Sequence, residues 1–440
     1  MGIQNFPVAL QEIIQLGFLE REFQSAMNSR LGYRAVADRE DFSVGIGETL
    51  TKTRAGLKPS VTTPLAPNTN TNLDNGLASQ PFSVEQYTLT INHYAATTDL
   101  NMVTSRVGIA SQFLLNAAIN GEQAARSLDE LARNALFAAY FGGTTRLRVG
   151  LTTSGPVIQV DDIRGFISTF VNGVMSPVGV STTLGVTING NNYTIVGVAA
   201  DASNVSLAPG GISGSLTMSG SVTTADGAIG NSVISANASL IVRPNARTAT
   251  TGLVTGDNLT MGSLLNAVAQ LRLNAVPDIE GAFNCYLDPV SARQLFADGD
   301  FRQLFAGATS ANQVFKRGMV NDFLGLRFIP TTEAYVQPHP TIATALIRRP
   351  IVCGKGALIE GDFAGMAAND VAPEDSIVNI IDGIAMVTRE PIDRLQQIIA
   401  QSWYWIGGFC APSDATTTPQ TVPTATNATF KRAVMIEHIG

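Results

Sequence analysis

Three histidines and one glycine-lysine turn are the residues of this chain best suited to catalysis or ligand binding. His93, His339 and His438 lie in separate segments, and no HExxH or Cys-x-x-Cys pattern accompanies them. Metal sites and nucleophile–base pairs need such partners. Residues 354–357 (GKGA) contain part of a phosphate-binding loop but lack its upstream glycine and the following Ser or Thr. The sequence therefore predicts no catalytic residue, no metal ligand and no cofactor.

Two pairs of aspartates have the spacing of a weak divalent-ion site. They are Asp161 with Asp162, and Asp298 with Asp300, and carboxylate oxygens are the ligands that Ca²⁺ and Mg²⁺ prefer. We favour their interpretation as helix caps and turn residues. Residues 45–47 (GIG) begin a dinucleotide-binding pattern but lack its third glycine and a following helix.

Cysteine usage favours buried, unpaired thiols. Cys285, Cys353 and Cys410 are odd in number and far apart, which argues against a disulfide framework and against a metal knuckle. We expect three small buried side chains and synthesis in a reducing compartment such as the cytoplasm.

Charge and hydropathy exclude several classes of protein. The net charge is −7, and only 14% of residues are charged, so the basic stripe typical of a sequence-specific nucleic-acid binder is missing. No apolar run approaches the roughly 18 residues of a membrane span. The first residues lack the basic leader and apolar stretch of a signal peptide, so we expect neither a membrane protein nor an exported one.

The elements that would position functional residues begin with an amphipathic helix over residues 7–28. Its apolar face comprises Leu10, Ile14, Phe18 and Phe23, among others, at helical spacing. No neighbouring segment in the sequence has a pattern able to cover this face. We therefore predict that it contacts another subunit.

Residues 45–90 form a second segment that has little to bury. Short β-like pieces bracket a stretch rich in Pro, Asn and Thr and poor in large apolar side chains. Such a stretch cannot order itself by burying its own surface. It is either a flexible linker or a long two-stranded loop that lies across a neighbouring subunit, and we favour the loop.

A single long helix is predicted from Val103 to Phe141. Its apolar residues recur close to every 3.6 positions, Asp99 or Thr104 is expected to cap its start, and Gly142 with Gly143 ends it. At 1.5 Å per residue, about 35 residues span roughly 50 Å, nearly the diameter of a compact globule of this size. The helix must therefore be a strut, and its small residues, including Gly121, allow other elements to cross it closely.

The pattern of the remaining residues predicts an α+β protein with a β-rich insertion. Residues 150–258 contain short strands punctuated by Gly, Pro and Asn, with a hairpin turn at Asn189-Gly190, and are interpreted as a small antiparallel sandwich or barrel. Mixed α/β patterns follow from Leu259, with Thr260 as a helix cap. Residues 403–405 (WYW) are predicted to pack a strand against the long helix, or to form a ligand platform.

This order of elements resembles the major capsid protein of tailed bacteriophages. The resemblance covers nearly all of the chain except the insertion, and it rests on the order of elements rather than on a short motif. It implies an N-terminal arm, an extended loop, a peripheral domain with a spine helix, the inserted β domain, an axial domain, and a return to the peripheral domain with a C-terminal strand. The corresponding ranges are 1–44, 45–90, 91–149, 150–258, 259–375 and 376–440.

The function that the resemblance implies is structural. Such a subunit assembles into pentamers and hexamers, forms an icosahedral head and encloses double-stranded DNA without sequence-specific contact. The implied partners are a separate scaffolding protein, a portal at one vertex, and a decoration or cement protein. The implied location is the virion, with assembly in the host cytoplasm.

The extended loop carries the remaining candidate contact residues, Lys52, Arg54 and Lys58. Some members of the resembled family join this loop to a neighbour through an isopeptide bond between Lys and Asn. We favour ordinary contacts of Arg54 and Lys58 with acidic groups on a neighbouring subunit. Two other functions remain open from the sequence: an encapsulin-like nanocompartment shell, and a surface or adhesion protein that uses the β-rich insertion as its binding module.

Overall fold

The computed structural model describes most of the chain, and everything below concerns these parts. They are residues 21–25, 32–42, 49–58, 60–62, 64, 84–101, 109–171, 174–302, 322–323, 325–363, 377–389, 394–395, 397–411 and 430–440. None of the helices in these ranges is both long enough and apolar enough to cross a membrane.

The secondary structure combines a few helices with many short strands. The helices are α1 (Ile109–Phe141), α2 (Met261–Leu273) and α3 (Pro289–Ala297), and residues 21–25 are also helical. The strands of the first half are β1 (Ala37–Phe42), β2 (Thr49–Ala55), β3 (Val84–Thr90), β4 (Asn92–Asn101), β5 (Thr144–Val149), β6 (Gly155–Val160), β7 (Ser168–Val171), β8 (Val174–Pro177), β9 (Leu184–Ile188), β10 (Asn191–Ala200), β11 (Gly214–Val222), β12 (Ser232–Ser235) and β13 (Ile241–Val242).

The strands of the second half begin after α2. They are β14 (Phe283–Leu287), β15 (Asp322–Phe323), β16 (Leu326–Pro330), β17 (Tyr335–Pro338), β18 (Leu346–Arg349), β19 (Ile351–Cys353), β20 (Leu358–Phe363), β21 (Ile377–Ile381), β22 (Ile384–Arg389), β23 (Ile398–Cys410), β24 (Ala433–Ile436) and β25 (His438–Ile439). The α+β class predicted from the sequence is confirmed.

The long helix α1 ends where its sequence predicts. It is 33 residues long, about 50 Å at 1.5 Å per residue. It stops where Gly143 adopts a left-handed backbone with φ of 81°, which glycine tolerates without strain. Residues 102–108, including the candidate cap Thr104, lie outside the described residues. Asp99 is not a cap, because it lies inside β4 and pairs with Ala400 of β23.

A glycine lets the N-terminal helical segment cross α1 at close range. A Cβ atom at Gly121 would lie 2.6 Å from the backbone oxygen of Phe23, so no larger residue fits there unless the segment moves. The predicted close crossing at Gly121 is confirmed. Phe23 is fully buried at this crossing, in a core that also contains Phe113 and Leu128 of α1.

The central sheet packs one face on α1. Its path is β1-β20-β23-β22-β21, and β4 pairs with β23 over ten residues. Alternate side chains of β23 are buried, which places Trp403 and Trp405 in the core with α1. Tyr404 points to the other face, where its ring meets His93 edge-on at 5.5 Å. The predicted packing of this strand against the long helix is confirmed.

The last part of the predicted arm belongs to the body of the subunit. The backbone N–H groups of Gly32 and Arg34 donate to the buried carboxylate of Asp129 on α1. The guanidinium of Arg34 lies 2.6 Å from Glu360 of β20, with both groups buried. Strand β1 then pairs in parallel with β20. Buried polar partners therefore hold residues 32–42 on the body of the subunit, and the boundary of the arm at residue 44 stays a prediction.

The β-rich insertion is a closed barrel whose limits differ from the predicted 150–258. Its strands follow the order β10-β11-β6-β5-β12-β9, so it starts at Thr144 and ends at Ser235. Strand β5 belongs to the barrel because it pairs with both β6 and β12. The predicted hairpin is confirmed, since Asn189 and Gly190 both have positive φ between β9 and β10, as a type I′ turn requires.

A second mixed sheet lies beyond the barrel in sequence. Its order is β13-β24-β19-β14-β16-β15, with α2 packed on β24, and a smaller sheet has the order β17-β18-β25. Thr260 caps α2 as predicted, because its hydroxyl accepts from the backbone N–H of Ser263 at 3.3 Å.

The C-terminal strand does not rejoin the central sheet, although the prediction grouped it with residues 376–440. Strand β24 instead pairs with β13 on one side and with β19 on the other. All four of its residues are buried, as is usual for a strand inside a sheet that is covered on both faces. Conversely, β20 lies in the range predicted as axial but pairs with β1 and β23 of the central sheet. The assignment of whole ranges to domains stays a prediction.

Candidate functional site: surfaces for contact with another subunit

The hairpin of β2 and β3 projects from the body of the subunit. Its strands pair in register from Thr49 opposite Thr90 to Ala55 opposite Val84. The base is held by Tyr87 and Leu89, which are buried with Ile359 of β20 and Cys410 of β23. Beyond the base, Leu57 is 63% exposed and Val61 is 76% exposed. The hairpin thus combines a buried base with two uncovered apolar side chains beyond it.

Lys52 is held by a carboxylate of its own chain. Its amine forms an ion pair with Glu40 of β1, and the hydroxyl of Tyr87 donates to the same carboxylate at 3.4 Å. Burial and the neighbouring charge of Glu40 raise the pKa of Tyr87 to about 12. Lys52 therefore braces the hairpin against β1, while its predicted contact with a neighbour stays untested.

The other candidate contact residues fall into three groups. Leu10, Ile14 and Phe18 lie outside the described residues. Phe23 was predicted to contact another subunit, but the crossing of α1 at Gly121 buries its side chain within its own chain. On the hairpin, Lys58 is exposed, and Arg54 is half-buried with its guanidinium near Gly356.

A second uncovered apolar surface lies on α1. Leu115 is 57% exposed and Ile119 is 51% exposed, and their spacing of four residues places them on one face. Next along this face is a shallow cleft lined by Ile119, Glu122, Arg126 and Glu130 of α1 and by Glu333. This surface was not predicted from the sequence, although the apolar pair Leu115 and Ile119 at i, i+4 on the helix is a signal for it.

Buried ionic groups join the end of α1 to the last strands of the chain. The carboxylate of Glu437 is fully buried and accepts from Arg243 at 2.7 Å, from Arg349 at 2.8 Å and from the hydroxyl of Thr250 at 2.9 Å. The Arg349 guanidinium lies 4.6 Å from the ring centre of Phe141, at the end of α1. Burial alone raises the pKa of Glu437, but the two arginines and the hydrogen bonds lower it to about 2.

The barrel is attached to the same region by aspartates. Asp161 accepts from the side chain of Gln337 at 2.8 Å, and its other oxygen accepts from the backbone N–H of Leu207. Asp162 forms a buried ion pair with Arg164 at 2.7 Å. Asp162 is a turn residue, as favoured from the sequence, because it also accepts from the backbone N–H of Arg164 at 3.0 Å. Asp161 instead joins segments that are distant in sequence.

His438 and the three cysteines are also engaged in the interior. Ser291 Oγ lies 2.7 Å from His438 Nε2 and also contacts Asp288, and all three side chains are buried. Burial lowers the pKa of His438 to about 4, so this neutral imidazole serves as an internal hydrogen-bond partner. All three cysteines are buried, as predicted. Within the described residues, no group of His, Cys, Asp or Glu side chains could hold a metal ion.

The structural elements follow one another along the chain in a defined order. A segment docked on α1 comes first, then the hairpin β2–β3, the strut α1 and the inserted barrel. The second mixed sheet and the return into the central sheet complete the order. This order of elements is the one that the resemblance to tailed-phage major capsid proteins implies. The inserted barrel is the addition that the resemblance left unexplained.

Comparisons with known proteins give the following similarities. The chain is similar to the capsid of Ralstonia phage GP4, with a TM-score of 0.49, 10% identity, and coverage of 94% of this chain and 90% of that chain. For the capsid of cyanophage Pam1 the TM-score is 0.43, with 14% identity and coverage of 94% and 92%. For the mature capsid of bacteriophage PhiM1 the TM-score is 0.42, with 9% identity and coverage of 93% and 87%. The sequence matches no protein-family model and no curated protein.

Proposed function

We propose that this chain is the structural subunit of the icosahedral head of a tailed bacteriophage, and that it assembles into pentamers and hexamers and encloses DNA. The observation that carries the proposal is the projecting hairpin β2–β3, whose Leu57 and Val61 are uncovered although its base is firmly packed. Leu115 and Ile119 on α1 form a second uncovered surface of similar chemistry.

The physical basis is the burial of these surfaces on neighbouring copies. Fully burying a Val or Leu side chain contributes about 1.5–3 kcal/mol, so each interface is modest by itself. Contacts between unlike surfaces give rings when the rotation closes. Many simultaneous contacts then make the shell stable although each one is weak. Lys58 and Arg54 would add charge contacts at the edge of the hairpin.

The remaining roles follow from the same assignment. Residues 259–375 would close the five- and six-fold rings, and the predicted partners are a separate scaffolding protein, a portal, and a decoration or cement protein. The net charge of −7 suits a container for DNA, because a basic lining would bind the phosphates tightly. The proposed location is the virion, after assembly in the host cytoplasm, and the role is structural rather than catalytic.

Deleting residues 55–80 tests the proposal directly. We expect a subunit that stays folded, because Tyr87 and Leu89 still hold the base of the hairpin, but that no longer forms shells. Negative-stain electron microscopy of the purified protein should show uniform shells for the complete chain, and circular dichroism should show unchanged secondary structure for the variant. Normal shells from the deletion variant, or only monomers from the complete chain, would contradict the proposal.

A double substitution separates hairpin chemistry from hairpin length. Leu57→Ser with Val61→Ser should reduce the yield of assembled particles at least tenfold, because it removes the two uncovered apolar side chains. Sedimentation of assembled against free subunits gives the measurement. Val180→Ser changes a similarly exposed apolar side chain, 83% exposed, in the inserted region, and should leave the yield unchanged. Equal yields for both variants would show that the hairpin side chains do not drive assembly.

A further inference from the structure

Two arginines meet at a tight turn beside the hairpin. Gly356 has a positive φ of 72°, and a Cβ atom there would lie 2.7 Å from Nη1 of Arg432 and 3.4 Å from Nη2 of Arg54. The same point is 3.5 Å from a carboxylate oxygen of Asp38. Guanidinium groups from β2 and from the residue before β24 therefore converge on residues 354–357, the GKGA segment noted in the sequence.

The turn is held in place by its own hydrogen bonds. The backbone N–H of Gly354 donates to the carbonyl of Arg432 at 2.9 Å, and Nη1 of Arg432 donates to the carbonyl of Lys355 at 3.0 Å. The hydroxyl of Tyr140 on α1 donates to the carbonyl of Ala357 at 2.8 Å. The arrangement is thus preorganised rather than formed by mobile surface side chains.

Two guanidinium groups, those of Arg54 and Arg432, lie beside the carboxylate of Asp38 at this turn. Burial and the neighbouring charge of Arg54 lower the pKa of Arg432. In the described part of the chain, Nη1 of Arg54 is buried and has no hydrogen-bond partner. A buried donor left unpaired is unfavourable, because it has lost its hydrogen bonds to water without gaining another. Glu85 lies opposite Arg54 in the register of the hairpin, and Asp38 is the carboxylate at the turn. The unpaired donor and the close approach of two cations both indicate a place for an anion.

We infer that Arg54, residues 354–357 and Arg432, here called the arginine turn, bind a carboxylate of a neighbouring copy of the chain. A guanidinium group pairs with a carboxylate through two parallel hydrogen bonds, which would satisfy the unpaired donor of Arg54. The chain carries 35 acidic residues against 28 Lys and Arg, so neighbouring copies have carboxylates to supply. This inference rests on the proposed function, because it needs neighbouring copies.

Carbodiimide cross-linking in mixed shells tests the inference. Arg54→Lys subunits of natural isotope content are assembled as a minor fraction with unsubstituted subunits labelled with ¹⁵N. The reagent joins the new amine to a carboxylate in contact, forming an amide with loss of water. Mass spectrometry should find position 54 linked to an Asp- or Glu-containing peptide that carries ¹⁵N, because the neighbour of a minor-fraction subunit is nearly always labelled.

Arg39→Lys is the matched control. The Arg39 guanidinium lies 2.6 Å from Asp382 of the same chain, so a lysine there should link to Asp382 in unlabelled peptides alone. Such a result would show that the method separates contacts within a subunit from contacts between subunits.

The other outcomes overturn the inference. Links from position 54 confined to unlabelled peptides would assign the arginine turn to a contact within one subunit. In another outcome, no labelled link forms and inorganic phosphate raises the melting temperature of the unsubstituted subunit but not that of Arg54→Gln. That outcome would assign the arginine turn to the binding of an anion from solution. Shells that form normally without labelled links overturn this inference alone, whereas absence of shells from the unsubstituted protein overturns the proposed function as well.

Discussion

Replacing Glu437 by glutamine is expected to lower the free energy of unfolding of the unassembled subunit by about 3–5 kcal/mol. The substitution keeps the shape of the side chain but leaves Arg243 and Arg349 buried without their shared counter-charge. Removing one partner of a buried ion pair costs about this much, because the remaining charge is uncompensated. Here two guanidinium groups lose the same carboxylate, so the effect should lie toward the upper end.

The pH dependence gives an independent measure of the same contact. The pKa of Glu437 is about 2 in the folded chain against an ordinary value of 4.5, so its contribution is fully present above about pH 4.5 and is lost as the pH falls toward 2. At about 1.4 kcal/mol for each tenfold change in proton affinity, the contribution is about 3 kcal/mol. The difference in stability between the unsubstituted chain and Glu437→Gln should therefore shrink on acidification.

Urea unfolding at pH 7 and pH 3 provides the measurement, and Glu280→Gln provides the control. Glu280 also forms an ion pair, at 3.3 Å from Arg327, but its side chain is 79% exposed. Exposed pairs contribute at most about 1 kcal/mol, so this variant should unfold close to the unsubstituted midpoint at both pH values. Equal losses in the two variants would mean that the buried cluster gives no special stability.

Gly408→Ala is the second substitution expected to have a large effect. Gly408 lies in β23 directly under the junction of β3 and β4, and a Cβ atom there would lie 1.8 Å from the backbone oxygen of Thr90. No rotation of a side chain relieves this overlap. The position of the Cβ atom is fixed by the backbone of β23, and the oxygen of Thr90 is itself a backbone atom. Overpacking of this kind costs about 1–3 kcal/mol or more, and the base of the hairpin must move away from β23.

Two measurements separate the local effect from a general loss of stability. Hydrogen exchange should accelerate at the hairpin base, residues 84–91, and the yield of assembled particles should fall because the hairpin is displaced. Gly220→Ala is the matched control, since Gly220 also lies in a strand, β11, but has open space where its Cβ would be. Alanine there should be neutral or slightly stabilising. Unchanged exchange in Gly408→Ala would contradict the predicted overlap.

Features that depend on neighbouring residues in sequence were predicted correctly. The strut α1, its end at Gly142 and Gly143, the turn at Asn189-Gly190 and the cap at Thr260 each follow from residues within one or two turns of the chain. The packing of residues 403–405 against the long helix was also predicted, although Tyr404 lies on the other face of β23. In all of these, backbone preference and the spacing of apolar residues determine the outcome locally.

Contacts between distant segments were not predictable in this way. From the sequence alone, Phe23 is an apolar residue with nothing to cover it. It is buried only because Gly121, about a hundred residues later in the chain, lets its segment cross α1 closely. Arg34 and Glu360 are 326 residues apart, and each alone is an ordinary surface-type charge. Strand β5 was assigned to the wrong unit for the same reason, because only its pairing with β6 and β12 places it in the barrel.

The sequence by itself therefore determined the α+β fold class, the long strut and the residue at which the strut ends. The tertiary structure decided which of the candidate contact residues are available: it buries Phe23, pairs Lys52 with Glu40, and brings Arg54 to Arg432. The physical reason is that helices and turns depend on local backbone energetics, whereas burial and charge pairing depend on which distant segments the fold places side by side.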